Sequence, residues 1–542
     1  MAYSTCDTSV LRDAILRMWT PVVGARSFNE VMVGNAHKIN TVFGQSYFGR
    51  VMVMDNLPFR PIFPCWEDYS DKQPPFEIEK EILSGSWSEG LYFYGHSNLK
   101  IPDMDYMLIL KNISFSEEDQ LSGKLTLKED TPFVHAYITD KNAVKLWNDF
   151  FADQEDVQGK RLSSRKLKER LNQNHNKLFT CFGNANSNDV DDGATIYINR
   201  IAYYDPALKA AHDALTKVKD YSSDMESKQC MLGEIEDFTR ELITFTGWDI
   251  VLAISCEGWP SCAKEWITRD RIWPHDDLVH KITHDDGFHI VPKRSTEGDF
   301  RLSFSFAETT LIENLTELQH KVVRSFKAVV KYHQNTWSPN IKEIITTYHL
   351  KTIAFWHFER TIQDSITEQT VVTHLILLLQ LELAEALRTR ELPMYFMPKV
   401  NLFGNVENPE DALDIAEKID KLSHDFPLVV IAIENITSGF ERHTSLAQNI
   451  IEKCNDFTYR RYRKGNQSVV PNPSKERMQE LYTCFGTIQR LCKCLNPMTN
   501  MQFTPQHERR VPGHAEGIAK PAGIFAILQQ FQFDTEELID LE

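Results

Sequence analysis

The 542-residue sequence predicts an α/β protein, with its strands in the first part of the chain and helices after them. Three observations carry this. Apolar runs of strand length, Met104 to Leu110, Gly193 to Ile198 and Trp248 to Ile254, are separated by polar or helix-prone segments. Leu315, Leu318, Val322, Phe326 and Val329 recur at helical spacing. Val371 to Leu387 is a long apolar helical stretch, but His374, Gln380, Glu382 and Glu385 interrupt it. It therefore falls short of the ~20 apolar residues of a membrane span, and no membrane anchor is expected.

In chain order, Leu11, Ile15, Leu16 and Trp19 form an amphipathic helical pattern that Pro21 stops. Pro61, Pro64, Pro74 and Pro75 make the approach to Gly85 irregular. After the run at 104–110 come one or two strands, then a helix around Ala143 to Phe151. Lys160 to Lys177 is helix-like, and Gly183 to Asp192 reads as a loop. A polar, helix-prone segment fills 199–248, and His289 falls in a strand leading to Val291-Pro292. The tail opens with an acidic helix, Glu410 to Leu422, followed by the apolar run Phe426 to Ile433. The expected division is a catalytic lobe with its N-terminal helix at 1–270, a helical lobe at 271–404 and a helical extension at 405–542.

The chemistry concentrates near residue 100. Asp103 and Asp105 head an apolar strand, where side chains at i and i+2 leave on the same face. Two convergent carboxylates suit Mg²⁺, which is usually held by one or two carboxylates plus substrate phosphates. Upstream, Gly85 and Ser86 offer a backbone turn whose N–H groups can cradle a triphosphate. A third acid, Asp249, stands near the start of another buried run and would complete a two-metal site. These features point to a metal-dependent nucleotidyl transfer. The plainer alternative is a solvated Asp-x-Asp loop and an acid at a strand end.

Lys160, Arg161, Arg165, Lys166, Lys168 and Arg170, with Lys177, make the strongest basic cluster. It reads either as a solvated face or as a phosphate-contacting surface for an activating nucleic acid. A second patch, Arg460, Arg461, Arg463 and Lys464 beside Tyr459 and Tyr462, carries the same two readings. His284, Asp285, Asp286 and His289, and Cys484, Cys492 and Cys494 with His507 and His514, hold ligand-type residues without zinc-knuckle spacing. No Walker phosphate loop and no G-x-S-x-G elbow occurs. A net charge of −17 argues against bulk affinity for nucleic acid, so such binding needs a local basic face. Ten scattered cysteines without a disulfide framework, and no signal-peptide core at the N-terminus, fit a cytoplasmic protein.

From Asp249 the wording becomes specific. Asp249 to Ile254 is followed by Trp259-Pro260, Trp273-Pro274, Val291-Pro292-Lys293 and Arg301 to Glu308. Tyr348 to Thr352, Leu387-Arg388-Thr389, Tyr395 to Pro398 and Asn401-Leu402-Phe403 continue it. This ordered series, over roughly residues 80 to 405, resembles the Mab-21 family of nucleotidyltransferase-fold proteins, and within it the cGAS-like receptors. The resemblance implies a bilobed nucleotidyltransferase fold, a mixed-sheet catalytic lobe joined to a helical C-terminal lobe. It implies that Gly85 and Ser86 bind the triphosphate and that Asp103, Asp105 and Asp249 hold Mg²⁺, with Mn²⁺ as a substitute. Arg301 and Ser303 would then read a nucleobase, Glu308 would contact nucleotide, Lys327 would hold the donor nucleotide, and Tyr348 would stack on a base beside the Thr347 hydroxyl. Read from periodicity alone, Lys327 is an exposed helix lysine, Tyr348 a core aromatic and Arg301 a strand-edge charge.

The same resemblance implies a cyclic dinucleotide such as cyclic GMP-AMP, made from ATP and GTP in innate immune signalling and read by a STING-type receptor. A homodimer is left open. Between Glu308 and Lys327 the sequence has His320 and no cysteine, so it departs from the zinc module of the DNA-sensing relatives. Double-stranded RNA, read by shape and backbone, becomes the expected activator in place of DNA. The alternatives are a catalytically silent family member acting as a scaffold, and a constitutive nucleotidyltransferase with another product.

Overall fold

A computed structural model of the chain describes residues 5–18, 20, 69–93, 104–128, 130–153, 157–179, 195–199, 247–295 and 298–438. Asp103, most of the 199–248 segment, the basic patch at 459–464 and the Cys484 to His514 group lie outside the described residues.

Among the described residues nine strands make one mixed sheet: β1 (Ile78–Ser84), β2 (Met104–Phe115), β3 (Leu125–Leu127), β4 (Phe133–Ile138), β5 (Lys160–Arg161), β6 (Thr195–Asn199), β7 (Gly247–Cys256), β8 (Phe288–Ser295) and β9 (Gly298–Ser303). Their order is β1-β2-β7-β8-β9-β4-β3, with β6 added to β7 and β5 to β4. Only the central pair, β2 and β7, runs parallel among the described strands. Because this pair is covered on both faces, its sequence is continuously apolar rather than alternating: Met107 to Leu110 and Leu252 to Ile254 are all buried. The expected mixed sheet is thus present. It runs on through Ser303, past the division at residue 270 expected from sequence.

The two faces of the sheet have different partners. One packs on the helix Ser164–Phe179, which buries Leu167 and Leu171 against Leu252 and Ile290 of the main core. On the other, Met107, Ala253 and Val291 form a smaller cluster with Ile82 and Ile109. That second face packs on Phe306 of the helix Ser305–Glu313 and looks across a cleft to the start of the helix Thr347–Glu359, with the helix Glu317–Gln334 between these two in the chain. Each of the two longer helices starts at a capping box, Thr316 with Gln319 and Thr346 with His349, which satisfies backbone N–H groups that a helix start leaves open. The apolar stretch at 371–389 becomes one run of helix with a π-helical turn at Leu378–Ala384. Among the described residues, no helix is long and apolar enough to cross a membrane. Pro409–His424 and residues 426–438 add two more helical segments.

The N-terminal helix, Thr5–Arg17, forms where its apolar spacing predicts, but it belongs to the helical layer rather than to the sheet. Leu11 and Ile15 are buried, and Lys321 Nζ donates to the Leu16 carbonyl at 2.8 Å.

Aromatic side chains weld sheet and helices together. Trp259 lies 5.2 Å from both Trp266 and Phe304, and Phe396 completes the group 5.0 Å from Trp266. Trp266 is fully buried. Trp266→Ala is expected to lower stability by about 3–5 kcal/mol in urea denaturation, the cost of a large cavity among Trp259, Tyr395 and Phe396.

Candidate active site

The short helix Gly85–Ser88 follows β1 directly, and its first residue is committed by geometry. Gly85 has φ +63°, and a Cβ there would fall on the Asp105 carboxylate. Only glycine permits both the backbone conformation and that approach. Ser84 is paired with Asp105 across β1 and β2, so the turn stands directly over the head of β2.

Asp105 is also the register partner of Asp249 on the parallel neighbour β7. Residues in register on adjacent strands leave from the same face. Asp105 lines a cleft of about 950 Å³, and Val251, two residues beyond Asp249, lines it too. Both carboxylates therefore belong to the cleft face of the sheet. The donor set, two carboxylates beneath a glycine turn, fits a hard divalent cation that shares its coordination with phosphates.

The cleft lies between the sheet and the helical layer. Arg301, Ser303 and Lys293 line it from β8 and β9, Glu308 from the helix after β9, and Tyr348 from the helix Thr347–Glu359. Ser303 and Ser305 hydroxyls are 2.9 Å apart on its wall. The Tyr348 phenol is driven well above its usual range by burial and by the Glu308 carboxylate. It therefore stays neutral and offers a ring face and an O–H. Thr347 is half-buried at the helix start, and it is its neighbours Thr346 and Tyr348 that line the cleft. His349, also on the wall, is pushed down to about 4 by burial and is neutral at physiological pH.

Lys327 is placed differently. It is 7% exposed, not the exposed helix lysine that periodicity suggests, and it does not line the cleft. Its Nζ donates to the Leu91 carbonyl at 2.6 Å. On the same helix face, one turn apart, His320 Nε2 donates to the Glu89 carbonyl at 3.2 Å, and Arg324 bonds the Gly90 and Tyr92 carbonyls. The spacing 320, 324, 327 thus forms one polar stripe that holds the backbone just after the Gly85 turn. No motif signals His320 or Arg324. The only trace in sequence is polar residues recurring at helical spacing on a helix that also has an apolar face.

The basic cluster is largely spent on internal partners. Lys160 and Arg161 form strand β5, and the helix begins only at Ser164. Lys168 is 5% exposed. Arg165 pairs with Glu169 at 2.7 Å, Lys166 with Asp153 at 2.9 Å, Arg170 with Asp71 at 3.3 Å, and Arg161 lies 3.5 Å from Asp299. His284, Asp285 and His289 do not converge, and among the described residues no group of three or more such side chains is arranged to hold a metal ion. His289 is in β8, as expected, where burial lowers it to about 3.

Comparison with known proteins identifies the family. The Mab-21 protein nucleotidyltransferase domain matches residues 103–314, and the Mab-21 protein HhH/H2TH-like domain matches residues 318–421. The chain belongs to the Mab-21 family. The first domain covers the sheet from β2 through the helix Ser305–Glu313, and the second begins with the helix that carries the polar stripe. The bilobed nucleotidyltransferase fold is therefore that of the family. A mab-21-like protein of Aedes aegypti is 28% identical over 180 residues, 31% of this chain and 47% of the relative. One of Drosophila melanogaster is 25% identical over 202 residues, 34% of this chain and 52% of the relative. Mab-21-like 3 of Danio rerio is 31% identical over 102 residues, 19% of this chain and 25% of the relative. The chain thus spans about half the length, or less, of the curated relatives it matches.

Two measurements test this site. Gly85→Ala is expected to cost about 1–2 kcal/mol for the left-handed backbone alone, plus the displaced carboxylate. Asp105→Gly in the same chain should recover the second part, so urea denaturation of the two singles and the double should be non-additive. For Lys327, burial first, then Lys331 and Arg324, brings the pKa down to about 7, against a partial pull upward from Glu89. Between pH 7 and about 10.5 the unfolded chain holds this proton and the folded chain does not, so stability rises with pH there. The melting temperature of the wild type relative to Lys327→Met should climb from pH 7 to pH 10 and be flat below pH 7.

Proposed function

We propose that the cleft is the active site of a divalent-metal-dependent nucleotidyltransferase that joins ATP and GTP, or two molecules of one of them, into a cyclic dinucleotide. The supporting observation is the registration of Asp105 with Asp249 on adjacent parallel strands, directly beneath the Gly85 turn. Asp103, Asp105 and Asp249 would hold Mg²⁺ or Mn²⁺, whose contribution when bound is to neutralise charge on the reacting and leaving phosphate oxygens.

The chain's own residues supply position. The Gly85-Ser86 turn would take the triphosphate, backed by the carbonyls that His320, Arg324 and Lys327 hold in place. Tyr348 would offer its ring face to a base, while Arg301, Ser303 and Glu308 would supply donors and acceptors to base or ribose. Such placement suits in-line attack of a ribose hydroxyl on an α-phosphate, a reaction with little covalent work for a protein to do. A second round on the linear intermediate closes the ring.

In the full reading, a nucleic acid switches the enzyme on, double-stranded RNA before DNA, and the product goes to a STING-type receptor in the cytoplasm. If the 160–170 segment takes the RNA, Arg165, Lys166 and Arg170 must exchange Glu169, Asp153 and Asp71 for phosphates. Activation would then carry a steep salt dependence.

The test is incubation of the purified chain with labelled ATP and GTP, Mg²⁺ or Mn²⁺, and double-stranded RNA, DNA or neither. A phosphatase-resistant product is expected. Asp105→Asn and Asp249→Asn should each lower its formation at least ~100-fold. A wild type that binds no nucleotide and makes no product under any condition would favour the scaffold reading.

A further inference from the structure

Behind the Gly85 turn lies a buried charge cluster, of which the transfer reading uses only one member, Glu308. Glu89, one residue past the turn helix, is 2% exposed. Lys351 Nζ stands 2.5 Å from Glu89 Oε1 and 2.5 Å from Glu308 Oε2, and all three side chains are buried. The same ammonium lies 5.6 Å from the centre of the Tyr348 ring. Ser88, just before Glu89, and Thr309, just after Glu308, have hydroxyls 3.3 Å apart in the interior. Glu89 also reaches back to the turn itself, its N–H donating to the Gly85 carbonyl at 3.1 Å.

Two buried carboxylates on one ammonium leave a net negative charge when all are ionised. Such a cluster persists only when each hydrogen bond is kept, and removing one partner strands another charge. Of the three, Glu308 alone lines the cleft. An N–H or O–H donor of a bound nucleotide that reaches Glu308 competes with Lys351 for that carboxylate. Lys351 then gives more of its charge to Glu89. Burial opposes the Lys351 charge, yet Glu308 and Glu89 together hold its pKa above the usual value, so it remains an ammonium throughout.

We propose that Glu89 and Lys351 are positioning residues that couple occupancy of the base and ribose side of the cleft, at Glu308, to the geometry of the Gly85-Ser86 phosphate turn. The inference rests on the transferase reading above. It accounts for why a buried acid follows the turn and why its counter-ion comes from the helix that bears Tyr348. Three elements from both lobes meet at one ammonium, so the phosphate and base sites are set by a single ion.

The experiment is calorimetric binding of Mg-ATP and of adenosine to the intact chain, for wild type, Glu89→Gln, Glu89→Asp, Lys351→Met and the double variant Glu89→Gln with Lys351→Met. Glu89→Gln should weaken ATP roughly 10-fold, in the usual range of a coupling energy, while leaving adenosine within about 2-fold. Glu89→Asp should recover part of the loss. The double variant should bind ATP no worse than Lys351→Met, because both act through one ion. Unchanged ATP binding in Glu89→Gln, equal loss of ATP and adenosine, or a double variant carrying the product of both losses overturns the proposal. If Lys351→Met does not fold, Lys351→Arg takes its place and is expected to keep ATP binding closer to wild type than Glu89→Gln does. A wild type that binds ATP but never transfers contradicts the transferase reading alone. One that does not bind ATP contradicts both.

Discussion

The row of backbone carbonyls from Glu89 to Tyr92, held by His320, Arg324 and Lys327, is the constraint on which the site depends. A loop following a glycine turn has little reason of its own to hold one geometry. Here three buried donors from a single helix of the other lobe fix its carbonyls in succession. A buried donor that loses its acceptor costs about 1–3 kcal/mol, so displacement of this segment is penalised at several points at once. The turn is therefore set by the helical layer as much as by the sheet. The turn is fixed on one side by the pairing of Ser84 with Asp105 and on the other by the helix that holds the chain after it.

Charge is handled in the same economical way. The sequence is strongly acidic, yet among the described residues three of the four buried lysines and arginines, Arg324, Lys327 and Lys351, stand at the seam between the lobes. Each is committed to carbonyls or carboxylates of the segment that leads out of the turn. The lysines and arginines of residues 160–170 are mostly committed too, to acids on neighbouring elements. A chain with so much negative charge holds many acids within reach of any basic side chain, which is why a basic run in the sequence need not become a basic face.

The fold was legible where one signal dominated. β2 and β7 are buried on both faces, so an unbroken apolar run marks each, and their leading acids were visible for the same reason. The helix with Val322 and Phe326 was legible from one apolar face. Its polar face was not, because a lysine meeting carbonyls and a lysine meeting water look alike in sequence. Glu89 and Lys351 escaped assignment because their meaning is pairwise, and no spacing within either segment reveals a partner some 260 residues away. Lys160 and Arg161 look continuous with the helix in sequence because charge runs carry no boundary, whereas their pairing with Tyr137 and Ile138 is a tertiary fact.

The central claim is that the acids at the heads of β2 and β7 hold a metal-bound nucleotide beneath the Gly85 turn. Paramagnetic resonance of Mn²⁺ with ATP and the intact chain tests it without depending on turnover or on an activator. The account predicts a protein-bound Mn²⁺ signal that requires ATP, persists in Lys166→Ala, and is lost in the Asp105→Asn, Asp249→Asn double variant while that variant keeps its fold. An ATP-dependent Mn²⁺ signal unchanged in the double variant would contradict it.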